Sequence, residues 1–538
     1  MSAEYTSLDW LVFFAYGAIL LLSGWWVNRK KSTSSADYFL GGNAMPVWMV
    51  SISVLATSQS AATFLGGPDM GYRGDLSYLA TNIGAFIAAL FVAFYLIPKF
   101  YQYKVFTVYE LLEQKIGPRA KKHAGIMYLF GRVFASGARL YMAAIAVAMI
   151  LFGDIAAESI VYSTIIITVI GLLFSVFGGV RSVIYSDVIQ AVVYISAAVF
   201  VIYFLVIAIP ADFSTIIAAL QDPAITTEGF IQTSKLTLLN FNLDFSSAGM
   251  FGFWSSITGF LLLNIAAFGL DQDMTQRVLT CKTEKEGSKA MLLSVVLVIP
   301  VMLLFLVIGL LLFIFYQRPD LMGEGAVNAM TSFEGAKVTV FMSYVLNQIP
   351  AGVRGLVTIG IIAAALSTLN SGLSSMSSVL VQDLYRPFNL NKGRQFADNH
   401  YVKAGKVSMI IVAIALASMA ILCFYWQKYT DTPLLAFALS VMLFSYSGLL
   451  GVYFTALFTK RGSEHSVTAA LITGFVITLL FQPYIQTLYL PATLVFDLAF
   501  TWKLCIATFI STLVCLLGTR NLVETPGRKN KNNLEVNA

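Results

Sequence analysis

Thirteen apolar stretches, each long or nearly long enough to cross a bilayer, constrain this chain of 538 residues more than any other feature. The hydrocarbon core of a bilayer is about 30 Å thick, so a helix that crosses it needs about 20 apolar residues. With 58% hydrophobic and 12% charged residues, the chain could not cover a set of soluble domains with polar surface. The pattern therefore predicts an all-α polytopic membrane protein. The stretches are 9–27, 46–67, 76–98, 124–152, 157–178, 183–209, 250–270, 290–316, 352–380, 407–427, 434–458, 466–483 and 501–518.

Most of the 34 Lys and Arg residues fall in alternate gaps between these stretches. Basic residues at 29–31 follow the first stretch, and Arg277 lies in the basic gap after the seventh. Because cytoplasmic loops carry the excess of Lys and Arg, the N-terminus is predicted outside and the C-terminus inside an inner cell membrane. The basic residues are not gathered on one domain, so the net charge of +6 indicates the lipid bilayer, not nucleic acid, as a partner. Nothing in the sequence fixes an oligomeric state.

Four consecutive polar residues, Thr57, Ser58, Gln59 and Ser60, lie at the centre of the second stretch. A continuous helix would turn some of them towards lipid, whereas a local break would free backbone carbonyls to face a cavity. Broken helices near the midplane hold ions and substrates in many secondary transporters. A polar packing face is the alternative, because Ser and Thr hydroxyls can bond to the preceding turn.

A stripe of hydroxyls follows one face of the stretch 352–380, with residues spaced at i, i+4, i+7 and i+11. Oxygen atoms without a formal charge suit a weakly bound monovalent cation such as Na⁺, whereas Ca²⁺ would usually recruit more carboxylates. Close helix packing by small residues is the alternative. The stripe consists of Ser367, Ser371, Ser374 and Ser378, and Thr368 and Asn370 flank it.

Among the ionisable residues inside apolar stretches, two stand out, Arg132 in the fourth and Asp187 near the start of the sixth. Such residues indicate function by default, because a charge in hydrocarbon is costly. Asp187 could bind a cation, pair with an Arg or reach the interface. The guanidinium of Arg132 could hold a substrate carboxylate or form a structural ion pair. The sequence has no phosphate-binding loop and no zinc-protease motif, so it predicts neither direct use of ATP nor an enzyme.

Five motifs connect these features to a known family. They are ADYFLGGNAMPVW at 36–48, ATSQSAATFLG at 56–66, GGVRSVIYSDVIQ at 178–190, FGLDQDMTQRVLTCKTEKEG at 268–287 and AALSTLNSGLSSMSSVLVQDLYRP at 364–387. In these motifs the chain resembles the sodium:solute symporter family, from Asp9 to about Arg461. The resemblance implies a LeuT-like fold of two inverted five-helix repeats, with the first helix of each repeat broken. It also implies sodium-coupled symport of a small organic solute by alternating access.

The implied fold divides the chain into six parts. The break in the second repeat is expected near Gly259, Asn264 and Gly269. The parts are an extra N-terminal transmembrane helix and inner loop at 1–45, the first inverted repeat at 46–209, an outer loop at 210–249, the second inverted repeat at 250–458, extra C-terminal transmembrane helices at 459–519 and a cytoplasmic tail at 520–538.

The resemblance implies two sites for the co-transported Na⁺. Asn370 stands in the second site where other members carry a hydroxyl, and its amide oxygen could still bind the ion. The site shared across the family would use the backbone carbonyls of Ala56, Gln59 and Ala364 and the hydroxyls of Ser367 and Thr368. The second site, known in some members, would use Asp187, Ser367, Asn370 and Ser371.

Within the family, the sequence is most similar to the bacterial sialic-acid transporters. Their substrate contacts would fall on Ser60, Thr63, Asn82 and Arg132, with Arg132 holding the carboxylate of the sugar acid. Asn82 departs from that pattern, in which an amide one methylene longer is expected, and it also replaces the acidic residue of galactose-type members. A neutral sugar, a small carboxylate or another small anion is therefore the alternative solute, and an ion or solute channel is the alternative class.

Overall fold

The computed structural model describes residues 5–29, 34–223, 234–323, 332–333, 336–337, 340–427, 437 and 439–520. Within these residues the chain is an all-α bundle with one short antiparallel strand pair, β1 Ser332–Phe333 and β2 Ala336–Lys337. The predicted tail at 520–538 lies outside the described residues beyond Arg520. The helices are α1 Ser7–Asn28, α2 Ser35–Leu40, α3 Val47–Ser58, α4 Ala61–Arg73, α5 Ser77–Phe91, α6 Ile97–Tyr103, α7 Glu110–Lys115, α8 Pro118–Leu151, α9 Ala157–Ala208, α10 Phe213–Gln221, α11 Phe253–Ser255, α12 Leu261–Ile265, α13 Gln272–Val278, α14 Glu284–Gln317, α15 Pro319–Met322, α16 Val340–Asn347, α17 Val353–Val379, α18 Arg386–Asn391, α19 Asp398–Gln427, α20 Leu443–Phe458, α21 Glu464–Leu480, α22 Pro483–Tyr489 and α23 Phe500–Leu516.

Nine helices among the described residues are long and apolar enough to cross a membrane, or up to 11 if each of two bent helix pairs is one span. The apolar helices α20 and α23 are shorter than this criterion requires. The predicted stretch 46–67 falls on α3 and α4, which are separate helices of 12 and 13 residues, and α3 forms one of the two bent pairs together with Ser35–Asn43. The length and composition of these helices therefore agree with a membrane protein of many spans, and the total of thirteen spans stays a prediction.

The second predicted stretch is a broken helix. Helix α3 ends at Ser58, and Gln59 and Ser60 are extended, with φ/ψ of −91°/110° and −113°/176°. Helix α4 then begins at Ala61. The break lies among the four consecutive polar residues, as the sequence predicted. Ser51, Ser53 and Thr57 on α3 are buried, so the polar face of this helix packs inside the bundle.

A second discontinuity separates α12 from α13. Two π-helical segments, Ser256–Phe260 and Ala266–Leu270, flank α12, and Asp271 is extended, with φ/ψ of −91°/120°. The expected interruptions at Gly259 and Gly269 fall inside the π-helical segments. Asn264 was wrongly expected to interrupt the helix, because it lies in the regular turns of α12, where its amide donates to the Phe260 carbonyl at 2.8 Å.

Helix α9 is kinked at Gly179, which has φ/ψ of 59°/−162° and separates the stretches predicted at 157–178 and 183–209. A Cβ atom at this glycine would lie 2.4 Å from the Tyr38 carbonyl oxygen, so only glycine satisfies both the torsion and the packing. The kink sets the direction of the second half of α9, which carries Asp187 into the bundle. Asp187 is fully buried there.

Candidate functional site

The break after α3 leaves backbone oxygens without their usual helical partners. The Gln59 amide donates to the Leu55 carbonyl at 2.9 Å and ends the hydrogen-bond pattern of α3. The Ala56 carbonyl is the first one beyond that last bond, and helix ends of this kind satisfy such oxygens with side chains, water or ligands. The side-chain oxygen Oε1 of Gln59 is buried and has no hydrogen-bond partner among the described residues. The break therefore offers buried acceptor oxygens.

Helix α17 presents the predicted hydroxyl stripe to the interior of the bundle. Ala364, Ser367 and Thr368 are all buried, at 3% exposure or less. The Thr368 hydroxyl donates to the Ala364 carbonyl at 3.2 Å, which holds these two predicted ligands side by side. The Ser371 hydroxyl donates to the Ser367 carbonyl at 2.6 Å. This face of α17 is lined with oxygen atoms, as an alkali cation prefers.

Helices α3 and α17 are joined directly and through Asp187. The hydroxyl oxygens of Thr57 and Ser371 lie 3.1 Å apart. The Ser367 hydroxyl donates to Asp187 Oδ1 at 2.7 Å, and the Ser53 hydroxyl donates to Asp187 Oδ2. These contacts hold the C-terminal part of α3 against the hydroxyl stripe of α17.

The structure divides the residues of the second predicted sodium site. Asp187, Ser367 and Ser371 lie together, but Asn370 is turned towards the first half of α9. The Ser175 hydroxyl donates to Asn370 Oδ1 at 3.1 Å. The amide nitrogen of Asn370 is buried without a partner among the residues that the structure describes.

Arg277 of α13 reaches the same place and was missed by sequence reasoning. It lies in the predicted gap after the seventh stretch, and its side chain is fully buried. Its guanidinium lies 3.3 Å from Asp187 Oδ2, and its Nε donates to the Ser53 hydroxyl at 2.8 Å. It also lies 3.2 Å from Asp273 Oδ1, four residues earlier on the same helix. That i, i+4 spacing of Asp and Arg was the available signal.

Arg132 of α8 is ion-paired in the bundle. Its Nη1 lies 2.9 Å from Asp271 Oδ2, its Nη2 binds Asp273 Oδ2, and the Tyr446 hydroxyl donates to Asp271. Asp271 Oδ1 also accepts the Asp273 amide at 2.9 Å and caps α13, which explains why this helix begins where it does. The Nε of Arg132 is buried and has no partner among the described residues.

The ion pairs form one buried cluster with an uneven charge. It contains two guanidinium groups and three carboxylates, so it carries one net negative charge. A neighbouring cation, Arg139 on α8, donates to Met442 Sδ at 3.3 Å and is not ion-paired in the cluster. Arg139 also interacts electrostatically with Asp271, so this neighbouring cation offsets the excess carboxylate of the cluster. The members are Arg132, Arg277, Asp187, Asp271 and Asp273.

The other predicted solute residues lie on α4 and α5. Ser60 precedes α4 and its carbonyl accepts the Thr63 amide at 2.9 Å, and both residues are buried. Asn82 is buried on α5, and its amide donates to the Leu79 carbonyl and to Met302 Sδ, both at 2.9 Å. Among the described residues, no side-chain hydrogen bond or ion pair joins Arg132 to Ser60, Thr63 or Asn82.

A discontinuous helix that packs against a hydroxyl-lined helix inside a bundle is typical of secondary transporters that couple a solute to a cation. The sequence model of the sodium:solute symporter family matches residues 38–474. The chain therefore belongs to that family and is a sodium-coupled, multi-pass protein of the inner membrane. Among the described residues, no three His, Cys, Asp or Glu side chains form a metal-binding group.

Three relatives span most of the chain. The sodium/sialic acid symporter SiaT of Proteus mirabilis is 25% identical over 484 residues, which cover 88% of this chain and 90% of that protein. The sodium/sialic acid symporter NanT of Aliivibrio fischeri is 28% identical over 397 residues, 72% of each protein. The sodium/glucose cotransporter of Vibrio parahaemolyticus is 25% identical and covers 94% of this chain and 91% of that protein.

Two solved structures share the fold. A substrate-bound, outward-open Na⁺-coupled sialic acid symporter has a TM-score of 0.77 at 22% identity, covering 96% of this chain and 98% of that one. Mhp1, a nucleobase-cation-symport-1 family transporter in a closed conformation, has a TM-score of 0.52 at 13% identity and covers 90% of this chain and 95% of that one. The LeuT-like fold predicted from the sequence is confirmed.

Proposed function

We propose that this transporter imports an acidic sugar of the sialic-acid type together with Na⁺ by alternating access. The observation that carries the sodium part is the break at Gln59 and Ser60. It directly follows Thr57 and Ser58, and the Thr57 hydroxyl lies 3.1 Å from that of Ser371 in the stripe of α17. The solute part rests on two relatives that are named as sodium/sialic acid symporters. A guanidinium buried at the position of the family's carboxylate contact, Arg132, supports an acidic solute.

The first Na⁺ would bind between the break and α17. Its ligands would be the carbonyls of Ala56, Gln59 and Ala364 with the hydroxyls of Ser367 and Thr368. This position adjoins the ion-pair cluster, because Ser367 donates to the cluster member Asp187. The unpartnered Oε1 of Gln59 adds a buried acceptor to the same break.

A second Na⁺ at Asp187, Ser367, Asn370 and Ser371 would compete with a protein cation. Arg277 already binds Asp187 and donates to the Ser371 hydroxyl. The second ion would therefore require the guanidinium to withdraw from the carboxylate. It would also require the amide of Asn370 to turn away from Ser175.

An acidic solute would likewise have to replace existing partners. The carboxylate of the solute would take the place of Asp271 or Asp273 on the Arg132 guanidinium, while Ser60, Thr63 and Asn82 would contact the uncharged part of the sugar. The ion pairs also support a second candidate, a neutral sugar. If Arg132 keeps both carboxylates, only uncharged side chains remain among the proposed solute residues.

Uptake by proteoliposomes would separate these candidates. The purified protein is reconstituted, an inward Na⁺ gradient is imposed, and uptake of radiolabelled sialic acid, hexoses, proline and short carboxylates is compared with uptake under a K⁺ gradient. We expect sialic acid to accumulate against its gradient with Na⁺ only. Accumulation of a hexose alone would establish the neutral-sugar candidate, and flux without accumulation would indicate a channel.

A further inference from the structure

A groove runs along the outside of the bundle between helices α8 and α21. Its polar end, with a volume of about 590 Å³, and its apolar continuation, of about 330 Å³, share His123, Thr468 and Ile472. The groove begins where both helices begin, at Pro118 and Glu464. On the topology predicted from the Lys and Arg distribution, this end lies at the cytoplasmic membrane interface.

The end of the groove nearest the helix starts is basic. Arg119 and Lys122 are exposed on the first turns of α8, and Arg119 has 67% of its side chain accessible. The one acid in the groove, Glu464, is engaged by the protein, because its carboxylate accepts the Arg119 amide at 2.9 Å and lies 3.8 Å from Arg119 Nε. His465 lines the same end. The mouth of the groove therefore favours an anion.

Away from this end the lining becomes apolar. Ile126 and Phe130 on α8 are 44% and 47% exposed, and Ile472 on α21 is 55% exposed. The rings of Phe130 and Phe475 meet edge-to-face at 5.6 Å and close the floor of the groove. Ile126 and Phe130 follow Arg119 and Lys122 along α8 at helical spacing. They therefore lie on the same face of α8 but deeper in the hydrocarbon.

We propose that this groove is a binding site for one anionic phospholipid of the inner leaflet. A phosphate headgroup at the interface would contact Arg119 and Lys122, and an acyl chain would lie along Ile126, Phe130 and Ile472. Basic pockets between transmembrane helices at the cytoplasmic side hold anionic headgroups for this electrostatic reason. The inference depends on the position of the chain in a membrane and does not depend on which solute is carried.

The test is lipid binding by the full-length protein in detergent, followed by native mass spectrometry and by thermal melting. The probes are dioleoyl phosphatidylglycerol, dioleoyl phosphatidylcholine and inorganic phosphate. The charge variant is Arg119→Gln with Lys122→Gln. Its matched control is Arg394→Gln with Lys403→Gln, which removes the same charge from two exposed residues that line neither part of the groove. A third variant, Ile472→Trp, fills the apolar part and keeps the charges.

We expect phosphatidylglycerol to bind the wild type and the control alike, and to bind the charge variant about fivefold more weakly for each charge removed. Ile472→Trp should also weaken phosphatidylglycerol binding, since it occupies the position of the acyl chain. Equal binding of phosphatidylglycerol by the charge variant and its control would overturn the proposal. So would equal binding of phosphatidylcholine, or a melting shift with inorganic phosphate as large as that with the lipid. Thermal melting without lipid verifies that each variant is folded. If the charge variant does not fold, Ile472→Trp still tests the proposal.

Discussion

Ser367 and Thr368 belong to the same turn of α17, and their hydroxyls are the proposed Na⁺ ligands that mutation can remove without disturbing the backbone. A hydrogen bond to a charged group contributes about 1.5–3 kcal/mol, and a contact between a hydroxyl and a cation is of similar size. Changing either residue to Ala should therefore raise the Na⁺ concentration for half-maximal uptake by about tenfold. The measurement is initial uptake over a range of Na⁺ concentrations.

Ser377 supplies the control for this prediction. It lies on the same helix, but its hydroxyl donates to the Gly405 carbonyl at 2.8 Å and packs against Ser408, away from the break in α3. Ser377→Ala should leave the sodium dependence unchanged. An unchanged sodium dependence in Ser367→Ala and Thr368→Ala would contradict the proposed site.

Arg132 can be tested without unbalancing the buried cluster. The double change Arg132→Gln with Asp271→Asn removes one charge of each sign, and Asn is an acceptable cap for α13. Removing one partner of a desolvated charge pair costs about 2–5 kcal/mol, so uptake of an acidic solute should fall by about thirtyfold or more. Asp271→Asn alone, which leaves Arg132 with Asp273, should keep most of that uptake. Equal loss of acidic and neutral solutes in the double variant would indicate a structural arginine.

At the residue scale, the sequence predicted the positions of the buried hydroxyl groups better than those of the buried charged groups. Ser367 and Ser371 repeat at helical spacing, so their shared face follows from one helix alone. The burial of Arg277 does not follow from one helix alone. It depends on the break before α13, which directs this helix into the bundle, and on Asp187, which lies on α9. A partner that lies 90 residues away along the chain and on another helix leaves no local pattern.

At the scale of the helices, the sequence predicted both breaks but placed only one correctly. Gln59 and Ser60 interrupt the second stretch as predicted, because four consecutive polar residues cannot all face a packed interior from one helix. The second break lies at Asp271, since its carboxylate caps α13. The glycines at 259 and 269 are accommodated instead as π-helical turns. The division of the chain into two inverted repeats, at 46–209 and 250–458, stays a prediction.

Gly179 gives a prediction at this scale. Its φ of 59° with ψ of −162° lies in a region that is essentially restricted to glycine, and a strained residue there costs about 1–3 kcal/mol. A Cβ atom would also meet the Tyr38 carbonyl at 2.4 Å. Gly179→Ala should therefore lower the thermal midpoint in detergent and reduce folded yield. The control is Gly17→Ala on α1, where a Cβ meets nothing within 4 Å and stability should be unchanged or higher. Equal midpoints for the two variants would contradict this account of the kink.

At the scale of the whole molecule, a buried lysine contributes to holding the outer segment against the bundle. Lys235 lies in the predicted outer loop at 210–249 and has only 1% exposure. Its ammonium donates to the carbonyls of Tyr72 and Gly74 at 2.8 Å each, at the end of α4, and lies 4.1 Å from the centre of the Phe313 ring of α14. A cation at the C-terminal end of a helix is electrostatically favourable. The lysine thus connects the outer segment to α4 and α14.

This arrangement predicts how stability changes with pH. Burial lowers the pKa of Lys235 from 10.5 to about 8, against a smaller opposing effect of Asp75. Below pH 8 the lysine is protonated in both the folded and the unfolded chain. The free energy of unfolding is then lowered by the full cost of burying the charge. Between about pH 8 and 10.5 the unfolded chain keeps a proton that the folded chain has lost, and stability must rise with pH through this group. The neutral amine can still donate to both carbonyls.

Lys235→Met removes that titration while it keeps a side chain of similar length. The thermal midpoint of the wild type, relative to that of Lys235→Met, should rise steadily between pH 8 and 10, and the difference should be constant between pH 6 and 7. Lys403→Met, at an exposed lysine on α19, is the matched control and should show no such pH-dependent difference. Parallel pH profiles for the wild type and Lys235→Met would mean that the lysine stays protonated in its buried position, held by the two carbonyls of α4 and by Asp75.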